Sequence, residues 1–264
     1  MNVTLRGRVP AAAAVLSTLL LAAPAYAADG DGQGLTGSVG LGVASIPKFA
    51  GARDNRTVAL PVLNLKYDRF FVGGESGLGL GYKLLDSASG WQASAIVSGG
   101  LRMARKESDA PALKGFGDIS NTARAGFIVK YSHDWFEVGA SSTWDVGGKH
   151  QGQLSSLFAR ASYRPTERFG LHAGPRIVYG SAKYNQTFFG VTDDQARQSG
   201  LSAYTPKSGV VSAAFELGAD YRISKDWSLG GRASFGRLES DAANSPVVQK
   251  KAQNSAAAFF AYHF

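Results

Sequence analysis

The chain has 264 residues, no cysteine, 33 glycines and a formal net charge of +8, from 28 basic and 20 acidic residues. The lack of cysteine excludes a small scaffold held together by disulfides. After the N-terminal segment, no stretch stays apolar for the roughly 20 residues that a transmembrane helix needs. The glycine content is typical of sheets that bend and close on themselves.

The N-terminus has the pattern of a secretory signal peptide. A basic start with Arg6 and Arg8 precedes an apolar run and an A-x-A motif that ends at Ala27. We therefore expect residues 1–27 to be removed and residues 28–264 to form one domain. In an exported protein, the basic excess favours contact with anionic lipid headgroups, and we expect no nucleic acid partner.

The rest of the chain consists of segments in which apolar and polar residues alternate. Such a period of two predicts strands with one apolar face. The clearest case is Trp135–Val146. Twelve strands are predicted, at residues 35–46, 55–67, 69–75, 77–85, 90–105, 118–132, 135–148, 152–164, 168–187, 208–223, 227–240 and 252–264. Residues 69–85 could instead form one bent strand; ten strands would remain if another weak strand also failed.

Alternation does not by itself separate a membrane barrel from a soluble, lipocalin-like barrel, in which the two faces are reversed. Three features favour the membrane. The strands are long enough to cross a bilayer at a tilt, the polar face carries charges of both signs, and aromatic residues flank the tight turns. Tight turns also alternate with long loops. We therefore predict an all-β, antiparallel transmembrane barrel with short periplasmic turns and long extracellular loops, surrounded by outer-membrane lipid.

The C-terminal strand has one continuous apolar face that ends in aromatic residues. Its last three members on that face are Phe260, Tyr262 and Phe264. Aromatic residues at a strand end suit the headgroup level of a bilayer. The pattern resembles the terminal signal by which outer-membrane barrels are recognised for assembly, and a buried strand of a soluble sandwich is the alternative.

The predicted inner face carries charges of both signs, which we expect to pair across a narrow lumen rather than to form an ion pathway. These residues are Arg124, Lys130, Glu137, Asp145, Arg160, Arg176, Glu216, Asp220, Arg222 and Arg232. The histidines have no metal-ligand spacing; they are His133, His150, His172 and His263. The sequence indicates no cofactor and no catalytic residue, and a hydrolase with a Ser-His pair at the barrel rim is the least favoured reading.

Two segments near predicted long loops have compositions that differ from those of solvated loops: the first contains several aromatic residues and glycines, and the second contains a Pro-Val-Val run. Their residues include Tyr184, Phe188, Phe189, Gly190, Thr192, Arg197, Ser199, Gly200, Tyr204, Ser245, Pro246, Lys250 and Lys251. Together with the Phe264 terminus, they resemble the MipA/OmpV family of outer-membrane proteins over essentially the whole mature chain. The alternative is a purely structural role, in which the same residues pack the long loops over the barrel mouth.

The resemblance implies a location in the outer membrane and a non-catalytic function. It implies a scaffold that brings a murein lytic transglycosylase together with a penicillin-binding protein during peptidoglycan synthesis and remodelling. Other members are described as porin-like or adhesive, so a narrow channel or an adhesin is the alternative. The resemblance implies no catalytic residue and no cofactor.

Overall fold

The computed structural model describes residues 34–74, 78–99 and 104–264, so the predicted signal peptide lies outside the described residues. Within them, twelve antiparallel strands close into one barrel, in which each strand pairs with the next and β1 pairs with β12. The strands are β1 Thr36–Pro47, β2 Asn55–Tyr67, β3 Phe70–Gly73, β4 Leu80–Asp86, β5 Trp91–Ser98, β6 Arg124–His133, β7 Phe136–Asp145, β8 Gln153–Thr166, β9 Phe169–Gly180, β10 Gly209–Arg222, β11 Trp227–Leu238 and β12 Ala252–His263. The predicted twelve-stranded barrel is confirmed.

Large apolar side chains cover the outside of the barrel, and Leu41, at 74% exposed, is the most open of them. They alternate with inward-facing side chains because successive residues of a strand point to opposite faces. Closure matters in lipid, since a backbone N–H or C=O without a partner there costs several kcal/mol. Among the described residues, no helix is long and apolar enough to cross a bilayer.

The two rims of the barrel differ as the sequence predicts. One rim carries the chain end at Phe264 and tight turns at residues 68–69, 87–90, 134–135, 167–168 and 223–226. The other rim carries longer connections and three helices, which are α1 Ala182–Phe189, α2 Asp193–Ser199 and α3 Ser240–Asn244. Short turns face the periplasm in barrels of this kind, so the helices lie on the extracellular side.

The predicted strand at residues 168–187 is wrong in its last seven residues. β9 ends at Gly180, and the hydroxyl of Ser181 then accepts a hydrogen bond from Tyr184 N as the N-cap of α1. Serine in this position satisfies a free amide of the first helical turn. The strands observed in place of the predicted strands at 90–105 and 118–132 are shorter, since β5 ends at Ser98 and β6 begins at Arg124. Positions 75–77 and 100–103 lie outside the described residues.

The alternation of residues along β10 predicts that Val211 shares the lipid-facing side with Phe215 and Leu217, and this prediction is wrong. The pairing of β10 with β9 shifts register between Val210 and Ser212, which is a β-bulge. A bulge places two residues opposite one and re-aims the side chain concerned. Val211 is consequently 0% exposed and packs against Tyr184 and Leu238 at the extracellular end of the barrel.

Candidate functional site: the charged lumen and the loop cap

The first set of lumen charges is centred on Glu137. One oxygen of this carboxylate lies 2.8 Å from Lys130 Nζ, and the other lies 3.2 Å from Arg160 Nη1. Ser132 Oγ donates to the same carboxylate at 3.1 Å. Three strands, β6, β7 and β8, are thereby joined through one side chain inside the barrel.

Further ion pairs lie between β9, β10 and β11. Arg176 Nε is 2.9 Å from Glu216 Oε1, and Arg232 Nη1 is 2.9 Å from Asp220 Oδ1. His172 Nδ1 approaches the other oxygen of Asp220 at 3.6 Å. Pairing of this kind offsets part of the cost of removing charges from water.

Aromatic rings pack against these cations inside the lumen. The guanidinium groups of Arg176 and Arg232 lie 4.9 Å from the ring centres of Phe158 and Phe259, respectively. A Cβ atom added at Gly230 would come within 2.2 Å of the Phe259 ring, so the absence of a side chain there makes room for it. The lumen at this level is occupied by side chains.

The remaining predicted lumen charges lie nearer the two ends of the barrel. At the extracellular end, Arg124 Nη2 donates to the main-chain oxygens of Thr143 and Gly152 at 2.9 Å. There Asp145 accepts hydrogen bonds from the Thr122 hydroxyl and from main-chain amides. Arg222 lies at the periplasmic end of β10, where its main-chain amide donates to Arg168 O.

The extracellular loops pack against one another over the barrel mouth. We call residues 48–54, 104–123, 181–208 and 239–251 the loop cap. Their buried apolar side chains form two clusters, one around Tyr184, Phe188 and Phe189 and one around Phe49, Leu113, Phe116, Val191 and Val247. The helices α1 and α3 thereby pack directly onto β8, β9, β10 and β11.

The first of the two segments that resemble the MipA/OmpV family forms the central part of the loop cap. Tyr184, Phe188 and Phe189 are buried, and burial raises the pKa of the Tyr184 phenol well above its usual range. Gly190 N closes α1 by donating to Gln186 O. The main chains of Val191 and Tyr204 then pair through two hydrogen bonds of 2.9 and 2.8 Å.

Polar residues and a glycine of the same segment begin and end the helix α2. Thr192 is its N-cap and forms a reciprocal capping box with Gln195. Ser199 Oγ donates to Gln195 O, and Gly200 ends the helix with φ +76°, a left-handed conformation that glycine adopts readily. Arg197 is exposed and pairs with Asp194.

The second of these segments, which contains Ser245, Pro246, Lys250 and Lys251, connects α1 to the neighbouring loops through hydrogen bonds. Ser245 Oγ donates to Phe189 O at 2.5 Å and accepts from Val247 N, with the half-buried Pro246 between them. Lys250 is exposed, and its main-chain amide donates to Gly51 O; the main-chain oxygen of Lys251 accepts from Leu238 N. Both segments therefore act in the architecture of the loop cap.

Two features of the loop cap are not among the residues predicted from the sequence. Arg105 is 4% exposed, donates to Phe188 O at 3.2 Å and lies over the Phe116 ring. Its burial lowers the pKa of its guanidinium to about 10, so it stays charged at neutral pH. The loop at Phe49–Ala52 is the second, and its apolar composition was the available signal, because solvated loops are usually polar.

The aromatic end of β12 lies on the outside of the barrel. Trp227 of the neighbouring strand contacts the rings of Phe260 and Tyr262, with centroid distances of 4.6 and 5.0 Å. Phe264 continues the row at 6.3 Å from Tyr262, and its main chain exchanges hydrogen bonds with Gly37 where the barrel closes.

One serine-histidine contact is present inside the barrel. Ser228 Oγ lies 2.7 Å from His263 Nε2, but Ser228 is 0% exposed, which leaves no access for a substrate. The histidine beside a carboxylate is a different one, His172, which faces Asp220. In the described part of the chain, no three His, Asp or Glu side chains are grouped as metal ligands.

Comparison with known proteins places this architecture in a family. The family described as "MltA-interacting protein MipA" matches residues 39–264. The MltA-interacting protein of Escherichia coli strain K12 is 29% identical over 216 residues, which are 81% of this chain and 84% of that protein. The 24 kDa outer membrane protein of Pasteurella multocida is 24% identical over 209 residues, 77% of this chain and 80% of the relative. The outer membrane protein OmpV of Vibrio cholerae is 32% identical over 88 residues, 33% of this chain and 34% of the relative. This chain is therefore an outer-membrane β-barrel that belongs to the MipA family.

Proposed function

We propose that this protein is a non-catalytic docking protein of the outer membrane for enzymes that remodel murein. Its first partner is a murein lytic transglycosylase, and a penicillin-binding protein is the second. The observation that carries the proposal is the similarity, over 81% of this chain, to a protein named for its interaction with MltA. The packed lumen and the loop cap agree with a function that needs no open channel.

The partner would dock on the periplasmic rim, because a periplasmic enzyme cannot reach the loop cap. The turns of this rim are short and carry charges of both signs, including Asp134, Glu167, Arg168 and Lys225, all exposed. Charges at the rim of an interface set the association rate and the choice of partner more than they set affinity. We expect the basic members to contribute to docking.

The test measures binding of the purified lytic transglycosylase from the same organism to the barrel in lipid nanodiscs. The double variant Arg168→Glu/Lys225→Glu should associate at least several-fold more slowly than the wild type, most clearly at low salt. The matched control, Lys114→Glu/Lys149→Glu, changes two exposed lysines on the extracellular side and should bind normally. Absence of binding by the wild type would refute the proposal, and equal loss in both variants would refute the periplasmic docking site.

A narrow channel is the second candidate, and the charged lumen is the observation that favours it. The residues on the inner face form ion pairs in at least three places, at Glu137, Glu216 and Asp220. Paired charges and packed rings narrow the path that a solute would take. Conductance therefore discriminates between the two candidates.

A further inference from the structure

Inward-facing side chains in the periplasmic half of the lumen are accessible to solvent. On β8, Ser162 and Arg164 are exposed, and Arg160 keeps 28% of its side chain exposed. These three residues alternate along the strand and face inward, since Arg160 contacts Glu137 inside the barrel. Lys66 on β2 is exposed in the same way. Solvent therefore enters the barrel from its periplasmic end.

The turns at this end of the barrel are short, and those that border the opening between β2 and β9 lie within the described residues. They are at residues 68–69, 87–90, 134–135 and 167–168 and have two to four residues each. Turns of this length join neighbouring strands directly and do not fold back across the barrel. We call this space the periplasmic vestibule, and its inward-facing polar residues are Lys66, Lys83, Asp86, Lys130, Glu137, Arg160, Ser162 and Arg164.

A buried apolar layer lies above the periplasmic vestibule. Farther from the periplasm, the inward residues of the same wall are Val62 on β2, Ile96 on β5, Ile128 on β6 and Phe158 on β8, and none of them is more than 6% exposed. The Phe158 ring lies across β7 at Gly139, where an added Cβ atom would come within 2.5 Å of it. The periplasmic vestibule is therefore open to the periplasm and closed towards the loop cap.

Cations outnumber carboxylates on this part of the inner wall. Asp86 Oδ2 lies 2.6 Å from Lys83 Nζ, and Glu137 is shared by Lys130 and Arg160, as described above. A further carboxylate nearby, Asp220, is 4% exposed and is held by Arg232. Among the described residues, the periplasmic vestibule thus has two carboxylates, Asp86 and Glu137, against five cations, which are Lys66, Lys83, Lys130, Arg160 and Arg164.

Lys66 shows the effect of this excess most directly. Within the described part of the chain it forms no ion pair, and both Lys83 and Lys130 repel it electrostatically. Asp86 attracts it, but that carboxylate is already bonded to Lys83 and to the amide of Gln92. Walls of low dielectric constant around a cleft of one sign of charge strengthen its attraction for counter-ions. The periplasmic vestibule therefore favours an anionic ligand.

The arrangement of the cations favours an extended ligand over a small ion. They follow the wall from β2 to β8, and each strand in this series pairs with the next. Six strand spacings of about 4.8 Å separate the two ends, on the order of 30 Å along the wall. A small anion contacts only part of this path. An extended peptide, at about 3.3 Å per residue, covers it with about nine residues.

We propose that the periplasmic vestibule binds an acidic peptide segment of about eight to ten residues. Its carboxylates would pair with Lys66 at one end and with Arg164 at the other, because lysine and arginine both form strong charge-assisted hydrogen bonds to carboxylates. The closed wall of paired strands separates this site from lipid headgroups. The source of the segment rests on the function proposed above, since a protein docked on the periplasmic rim holds its own segments at high effective concentration beside the opening.

The test measures binding of a fluorescent peptide of about ten residues, alternating glutamate and serine, to the full-length barrel in lipid nanodiscs at low salt. This peptide should bind at least tenfold more tightly than its analogue with glutamine in place of glutamate. The variant Lys66→Gln/Arg164→Gln should weaken binding about tenfold, equivalent to 1.4 kcal/mol.

Two control variants change exposed cations outside the periplasmic vestibule and should bind the peptide like the wild type. Lys114→Gln/Lys149→Gln lies on the extracellular side, and Arg168→Gln/Lys225→Gln lies on the periplasmic turns. The second control separates this site from the docking proposal, to which Arg168 and Lys225 contribute. Docking of the enzyme without binding of the peptide would overturn the peptide site alone. Binding of the peptide without docking of the enzyme would support the peptide site and refute the docking protein.

Several results would overturn the peptide site. Equal weakening in the Lys66/Arg164 variant and in the extracellular control would mean non-specific attraction of charge. Displacement by inorganic phosphate at the concentration of the peptide would mean an adventitious ion only, and equally tight binding of a peptide of about four residues would exclude an extended segment. If the variant does not form a heat-modifiable barrel, a photoreactive group on the peptide decides with the wild-type protein: cross-links to inward-facing residues of β4, β6 or β8 support the site, and cross-links confined to the loop cap or the outer face overturn it.

Discussion

Arg105 Nη1 lies 3.2 Å from the main-chain oxygen of Phe188, so one hydrogen bond joins residues 104–123 to the end of α1. Both residues are buried, and the two segments are 83 positions apart in the sequence. A cation beside the last carbonyls of a helix is also favoured by the helix dipole. This contact holds two of the four parts of the loop cap together.

Replacing Arg105 with Ala should therefore loosen the loop cap without unfolding the barrel. The change removes a hydrogen bond from a charged donor and leaves the Phe188 oxygen buried without a partner, at a cost of about 1.5–3 kcal/mol. We expect faster tryptic cleavage at the exposed Lys106 and Lys114, with the heat-modifiable barrel retained. Arg53→Ala, at an exposed arginine, should leave the cleavage rate unchanged; equal acceleration in both would show that Arg105 has no special role.

The barrel could be predicted from the sequence because its signal is local. In β7 or β11, the alternation of side chains decides which face meets lipid, and the aromatic residues beside the turns mark the strand ends. The helix α1 could not be predicted in this way. Its aromatic residues also fit a strand, and what favours the helix is the Ser181 cap together with packing against Val211, which the β-bulge turns inward.

The ion pairs of the lumen depend on register, which the sequence pattern leaves open. Glu137 lies directly opposite Arg160 in the β7–β8 ladder, and this pair could be derived once the turn length was known. Asp220 and Arg232 are diagonal neighbours, opposite Gly230 and Gly218. Diagonal pairs form only if the side chains have room to reach across, and here two glycines provide it.

An arginine on the outer face of β10 should be tolerated at the rim and not at the centre. Leu217→Arg places a charge near the middle of the bilayer and should cost about 2–4 kcal/mol, whereas Tyr221→Arg near the periplasmic interface should cost about 0–1 kcal/mol. The two positions share a strand and a face, so they are a matched pair. Unfolding in urea from detergent or lipid measures the difference; equal losses would mean that the bilayer does not cover β10 as assigned.

The aromatic end of β12 should be needed for assembly. Deleting Phe264, or replacing both Tyr262 and Phe264 with Ser, removes side chains that continue the row started by Trp227 and Phe260. We expect export to continue and the heat-modifiable barrel to be lost from the outer-membrane fraction.

The control for this experiment is Ala256→Ser/Ala258→Ser, which changes the same face of the same strand away from its aromatic end. This variant should assemble like the wild type. Normal amounts of folded barrel in the Phe264 deletion would contradict the assembly role.

The intact protein should conduct little or no steady current in planar bilayers. Twelve strands lie between the eight that side chains can fill and the 16–18 that leave an aqueous pore. The ion pairs narrow the lumen, and α1 packs over its mouth. The predicted lumen residues include six cations and four carboxylates, so any residual leak should favour anions.

Loosening the loop cap should raise the conductance if α1 obstructs the path. Two changes test this: the triple variant Tyr184→Ser/Phe188→Ser/Phe189→Ser, which removes the buried side of α1, and deletion of Phe188–Tyr204. The control Ala182→Ser/Lys183→Ser alters exposed positions of the same helix and should leave the current unchanged. A large, stable and cation-selective current from the intact protein would contradict the closed lumen. Such a current would require a lumen wider than the contacts of Glu137 and Asp220 allow. In that case a channel would replace docking as the favoured function.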